Sequence, residues 1–163
     1  MSKTTKTIVR AGLIAGIYVV LSLITFPVAS GAIQFRIAEA LTILPLIFPE
    51  AIPALFVGCM LSNLITGCMI LDVFLGSVIT LFASLCTYFI GKVIKKNWLK
   101  ILLGGIFPVM LNAFLLPLIW ILAYGVIEYV YYLQVLFLLI SQSVSIYALG
   151  SPLYFAIKSK LID

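Results

Sequence analysis

Two oppositely charged side chains, Arg36 and Glu39, stand three residues apart in a segment that is otherwise apolar. On a helix this spacing puts both side chains on one face, close enough to pair or to grip a third group together. Ionisable side chains at the edge of a membrane span are costly and commonly functional. The spacing therefore predicts either a binding site or a structural ion pair that caps the helix.

The composition places these two residues in a membrane protein. Of the 163 residues 64% are hydrophobic and 9% are charged, whereas soluble domains contain about 25% charged residues. The chain has no histidine, the commonest general base and metal ligand. It has no phosphate-binding loop and no hydrolase or metalloprotease motif. Its three cysteines lie in apolar segments without paired spacing, which favours small buried residues and no metal site.

A membrane span needs roughly 20 apolar residues, and apolar runs divide the chain into six predicted spans, of which the second is short. They run approximately over residues 8–27, 35–48, 51–67, 72–91, 99–124 and 129–157. We therefore expect an all-α membrane protein, a six-transmembrane-helix bundle that forms a single integral membrane domain over residues 1–163. An even number of spans puts both termini on one side, with nine of the ten Lys and Arg residues. The positive-inside rule makes that side cytoplasmic, so the net charge of +5 indicates membrane topology and not nucleic acid.

The same topology gathers polar residues at the opposite, outer face. Arg36 and Glu39 open the second helix, and three of the four non-terminal acids meet at this face, Glu50 being the exception. We predict a pocket that opens outward and takes a small polar molecule. Asn112 lies deeper, where a hydrogen bond between helices is as good an interpretation as a ligand contact. The candidate binding residues are Arg36, Glu39, Asn63, Asp72, Trp120, Glu128 and Gln142.

Several blocks of this sequence resemble a known family. They are Ile33-Gln-Phe-Arg-Ile-Ala-Glu-Ala-Leu-Thr42, Ala51-Ile-Pro-Ala-Leu-Phe-Val-Gly-Cys59 with Asn63 after it, and Asp72-Val-Phe-Leu-Gly-Ser77 with Thr80 and Tyr88-Phe-Ile-Gly91. With six spans in a chain of this length, they resemble the substrate-binding S components of energy-coupling-factor (ECF) vitamin transporters. The more specific resemblance is to the QueT-type S component for queuosine precursors. It covers roughly residues 8–91, and the last two helices match in length and character only.

The resemblance implies a binding protein and not an enzyme, located in the cell membrane. Such a protein captures a scarce nutrient outside the cell and releases it inside. It depends on a transmembrane coupling subunit and on two ATPase subunits that use ATP, so it carries no cofactor of its own. In the family an AxxxA-type face of the first helix docks on the coupling subunit. The matching positions here are Ala11 and Ala15, beside a second small pair at Gly12 and Gly16.

A 7-deazaguanine such as the aminomethyl or cyano precursor would suit the candidate residues chemically. Its ring N–H and exocyclic amine lie side by side, and a carboxylate accepts both as a bidentate pair. Glu39 is the expected acceptor, with Arg36 orienting it or donating to the base carbonyl. The other expected contacts are Asp72 or Glu128 with a cationic group, Asn63 and Gln142 with paired donors and acceptors, and Trp120 or a nearby tyrosine stacked on the ring.

Two alternatives remain open at this stage. The chain could be an S component for another vitamin or nucleobase-like nutrient, with the same fold and partners. It could instead be a proton-coupled carrier or a small intramembrane enzyme. That second alternative needs a carboxylate at mid-membrane depth, whereas the acids of this sequence fall at the ends of the predicted spans.

Overall fold

The computed structural model describes residues 2–29, 34–125 and 129–162, and within these ranges all regular structure is helical. Six helices follow one another, the second a 3₁₀ helix and the sixth π-helical in its middle part. They are α1 (Lys3–Ala29), α2 (Ile37–Leu46), α3 (Ala51–Ile65), α4 (Ile70–Val93), α5 (Asn97–Tyr124) and α6 (Tyr131–Ser143, Val144–Gly150 and Ser151–Ile162).

Four of the six helices, α1, α4, α5 and α6, are long and apolar enough to cross a membrane. The second and third helices are shorter than predicted, with 10 and 15 residues. A 3₁₀ helix rises about 2.0 Å per residue, so α2 is about 20 Å long where an α-helix would reach about 15 Å. The expected number of helices is confirmed for the described residues, but α2 and α3 are not full-length spans.

Most predicted helix ends lie within a few residues of the observed ones. Gly67 and Gly125 follow α3 and α5 with φ angles of 78° and 76°, a left-handed conformation that glycine adopts without strain and that stops a helix. The first span was predicted to end at Pro27, but this residue lies inside α1, which continues to Ala29. Residues 30–33, which were predicted to connect the first two spans, lie outside the described residues.

Helix α2 lies at the centre of the bundle. Nine of its ten residues, all except Ile37, are buried, and it contacts each of the other five helices. The approach to α6 is close because a Cβ atom on Gly150 would lie only 2.9 Å from the carbonyl oxygen of Ala40. The segment that supplies Arg36 and Glu39 is therefore the element around which the other helices pack.

Helix α1 lies at the edge of the bundle, against α2 and α3. In its most apolar stretch of 18 residues only 17% is buried, whereas the buried share of the corresponding stretch is 33–44% in the other three long helices. At its N-terminal end Arg10 Nη1 donates to Glu50 Oε1 at 2.7 Å, and its guanidinium lies 4.3 Å from the centre of the Phe48 ring. This contact fixes α1 to the connection between α2 and α3.

The start of α5 and the end of α6 meet at one end of the bundle, where Lys158 Nζ and Tyr154 Oη both donate to Asn97 Oδ1. The basic residues around the start of α5 and those near the end of α6, which were expected to share a side of the membrane, are therefore neighbours. That this side is the cytoplasmic one stays a prediction.

Candidate functional site

A cavity of about 290 Å³, which includes its opening, lies between α2, α3, α4 and α5. Five of the seven predicted binding residues line it, and four of the five are almost completely buried while Arg36 is partly buried. These five are Arg36, Glu39, Asn63, Asp72 and Trp120.

The carboxylate of Glu39 is the best-connected group of the cavity. It is 3% exposed, and each of its two oxygens accepts a hydrogen bond from another helix. Tyr18 Oη of α1 donates to Oε1 at 2.7 Å, and Asn112 Nδ2 of α5 donates to Oε2 at 3.2 Å. Acceptance at both oxygens fits an ionised carboxylate, which still has lone pairs for further donors.

Arg36 and Glu39 do not form the ion pair that was one interpretation of their spacing. Arg36 stands just before α2 with extended backbone angles (φ −113°, ψ 109°), so the rule that residues three apart share a helical face does not apply to it. Its guanidinium donates to Asn63 Oδ1 at 3.4 Å. In the described part of the chain no carboxylate oxygen lies within 4.0 Å of it, which leaves its donors available in the cavity.

Asp72 lies in the first turn of α4, at the start of the predicted fourth span, and lines the cavity near its rim. Tyr124 Oη, at the end of α5, donates to Asp72 Oδ2 at 3.4 Å and accepts the backbone N–H of Met69 at 3.1 Å. Trp120 lines the cavity one turn before Tyr124. Asp72 is 5% exposed, so this carboxylate faces the cavity and not open solvent.

Cys59 and Thr80 line the cavity but were not predicted to do so. Thr80 Oγ1 donates to Cys59 Sγ at 3.4 Å, and Asn63 Nδ2 approaches the same sulfur at 3.7 Å. A helical spacing signal was present, because Cys59 precedes Asn63 by four residues and Thr80 follows Asp72 by eight. Asn112 also lines the cavity and makes a hydrogen bond between helices to Glu39, and a contact of Asn112 with a ligand stays a prediction.

The two remaining predicted contacts are less direct. Gln142 is 2% exposed but is not part of the cavity wall. Its Oε1 accepts from Asn112 Nδ2 at 3.4 Å, which places it behind that amide. Glu128 lies outside the described residues.

The charge of the cavity wall favours a cation. Its ionisable residues are two carboxylates, Glu39 and Asp72, and one guanidinium, Arg36, which give a formal charge of −1 when all three are ionised. The space between the walls is narrow and has room for about one water molecule. A larger ligand therefore needs the side chains of the wall to move apart.

The first helix turns its glycines, not its alanines, away from the bundle. Ala11 and Ala15 are partly buried and pack against the core formed by α1, α2 and α3. Gly12 and Gly16 face open space, because a Cβ atom added to either would have no neighbour within 4 Å. With Leu13, Ile17, Val20 and Leu21 the two glycines line a shallow apolar groove of about 540 Å³ that includes open surroundings. The two alanines thus lie beside the most open small-residue face of α1 and not on it.

Four membrane-length apolar helices and the helical architecture of the described residues define a multi-pass membrane protein, and its polar cavity lies inside the bundle. The model of the QueT transporter family matches residues 8–159, so the chain belongs to that family of transporters. The match extends over α5 and α6, where the sequence offered no motif. No curated protein and no solved structure matches the chain.

Proposed function

We propose that this chain is the substrate-binding S component of an ECF-type importer and that it binds a queuosine precursor, a 7-deazaguanine with an aminomethyl group. The observation that carries the proposal is the cavity in which Glu39, Arg36, Asn63 and Asp72 meet in a member of the QueT transporter family. The protein would bind its ligand from outside and release it inside after docking on the coupling subunit.

The hydrogen-bonding groups suit the base. The free lone pairs of Glu39 can accept the ring N–H and the exocyclic amine together. Arg36 has no carboxylate partner in the described residues and can donate to the base carbonyl. Asn63 offers both a donor and an acceptor, and Trp120 provides an aromatic face at the same wall.

The charge balance favours the aminomethyl form over the cyano form. Without a ligand the wall has one net negative charge, from Glu39, Asp72 and Arg36. An ammonium group would neutralise it, whereas a nitrile would leave it uncompensated in a water-poor site. Asp72 is the expected partner of the ammonium because Glu39 is occupied by the ring.

Ligand titration of the purified chain tests this function. We expect the aminomethyl base to bind and to raise the unfolding temperature, since a ligand that binds only the folded state stabilises it. Glu39→Gln should weaken binding by about 2–5 kcal/mol, because a buried partner of a hydrogen-bonded charge is lost. Glu50→Gln is the matched control, because Glu50 is 9% exposed but bonds Arg10 outside the cavity. Unchanged affinity in Glu39→Gln would remove Glu39 from the site.

The groove on α1 suits docking on another membrane helix. Gly12 and Gly16 allow close backbone approach, which favours helix association in lipid, and no charged side chain lines the groove. Ala11 and Ala15 would then lie at the border of the contact. Trp at Ala15 would disturb the fold, because the backbone of Ala15 already lies against Gly58.

Uptake in cells that contain the coupling subunit and both ATPases tests the docking face. Gly16→Trp should abolish uptake but leave ligand binding by the purified chain intact. Ile140→Trp, at a 55% exposed position of α6, is the control for bulk on a lipid-facing surface. Uptake that persists in Gly16→Trp excludes this face, and uptake that persists without the ATPases excludes an ECF-type importer.

A further inference from the structure

Tyr18 contacts the candidate site without being part of the cavity wall. It is completely buried, and its hydroxyl donates to Glu39 Oε1 at 2.7 Å, the shorter of the two hydrogen bonds to this carboxylate. Asn112 Nδ2, the other donor, is shared with Gln142 Oε1. The Tyr18 hydroxyl has one proton to donate, and it is directed at Glu39, whereas Asn112 Nδ2 donates to two residues.

The backbone of Tyr18 is held where α1 and α3 come closest. A Cβ atom on Gly58 would lie 3.1 Å from Tyr18 Cβ and 3.2 Å from both Tyr18 Cδ1 and the carbonyl oxygen of Ala15. Only glycine leaves this approach free of strain. The close contact fixes the direction in which the phenol leaves α1, and hence the position of its hydroxyl at Glu39.

We propose that Tyr18 is a positioning residue that orients Glu39 for the ligand and connects the site to α1. The proposal rests on the proposed function, in which Glu39 accepts two donors of the base. With Oε1 held by Tyr18 and Oε2 by Asn112, the plane of the carboxylate is set before the ligand arrives. Displacement of α1 would break the hydrogen bond from Tyr18 to Glu39, free the carboxylate to rotate and lower the affinity for the ligand.

The connection to α1 gives this bond a second consequence. Tyr18 faces inward on the same helix whose Gly12 and Gly16 face outward. A contact that moves or rotates α1 from outside therefore acts on Glu39 through Tyr18. The helix proposed to dock on the coupling subunit is thus also the helix that holds the binding carboxylate in place.

Tyr18→Phe removes the hydroxyl and keeps the ring. We expect the affinity of purified Tyr18→Phe for the aminomethyl 7-deazaguanine to fall roughly ten- to a hundredfold, as for loss of a hydrogen bond to a charged group. Tyr154→Phe is the matched control, because Tyr154 is also buried but bonds Asn97 away from the cavity. Its affinity should change less than about threefold.

A double-mutant cycle with Glu39→Gln separates positioning from general packing. If Tyr18 acts through Glu39, Tyr18→Phe should lower affinity less than about threefold when Glu39→Gln is already present. Fully additive losses would overturn the proposal. So would an unchanged affinity of Tyr18→Phe in a protein that binds the ligand.

Infrared difference spectroscopy gives a readout that needs no ligand. The Glu39→Gln difference spectrum identifies the Glu39 carboxylate bands, and these should shift in Tyr18→Phe but not in Tyr154→Phe. Unshifted bands would overturn the positioning role. If the wild-type protein fails to bind the base, the proposed function falls, and the infrared result alone decides the role of Tyr18.

Discussion

Asp72→Asn should change which form of the base the protein prefers. Asp72 is 5% exposed, lines the cavity, and accepts a hydrogen bond from Tyr124. Asparagine has nearly the same shape and keeps an oxygen for that bond. The substitution therefore removes one charge and little else, and it takes the wall from one net negative charge to none.

The magnitude follows from Coulomb's law. Two unit charges about 4 Å apart interact by about 4 kcal/mol at an effective dielectric constant near 20. Arg36 nearby and residual water reduce this, so we expect a loss of about 2–4 kcal/mol, or roughly 30- to 1,000-fold in affinity, for the aminomethyl base. The neutral cyano analogue should change by less than about threefold, because it has no charge to lose a partner.

Calorimetric titration of both ligands against the wild-type protein and Asp72→Asn, at one ionic strength, measures this difference. Glu50→Gln is again the control, since it removes a carboxylate outside the cavity. Equal weakening of both ligands would mean that Asp72 supports the fold and not the cation. An unchanged ratio between the two ligands would refute the charge argument and place the ammonium elsewhere.

Two further predictions concern the packing of α1. Gly58→Ala should lower the free energy of unfolding by about 1–3 kcal/mol, because the added Cβ atom would press on Tyr18. Gly12→Ala is the control, since its Cβ atom would meet open space, and it should lower the free energy of unfolding by no more than a few tenths of a kcal/mol. Equal losses for the two variants in thermal unfolding would contradict the close contact at Gly58. Arg10→Gln should cost about 1 kcal/mol or less, since Arg10 is 41% exposed. A coupling energy well above about 1 kcal/mol in a double-mutant cycle with Glu50→Gln would contradict this.

Hydropathy is the property of the sequence that predicted both the helices and much of the cavity. Hydropathy locates apolar helices, and polar residues at their ends must then meet when the helices pack. Glu39, Asn63, Asp72 and Trp120 come from four different helices and line one cavity, as this reasoning required. Whether they bind a ligand stays a prediction.

The sequence could not predict the features that depend on the rotation and local geometry of a helix. Arg36 was placed on the helical face of Glu39, but its backbone is extended. On α1, two small-residue pairs occupy adjoining faces, and periodicity does not say which face turns inward. The inward face of α1 is set by α3, where Gly58 leaves room for the close approach of Ala15 and Tyr18.

The shortness of α2 accounts for the depth of the site. Because α2 has only ten residues, Glu39 lies in the first turn of a helix that is buried almost throughout and does not reach the surface as the end of a full span would. A carboxylate in that position needs hydrogen-bond donors from neighbouring helices, and α1 and α5 supply them through Tyr18 and Asn112. The bonds that make the buried charge tolerable are therefore the ones that hold three helices together. A ligand that binds Glu39 joins that network, so its affinity must depend on how α1 and α5 are packed.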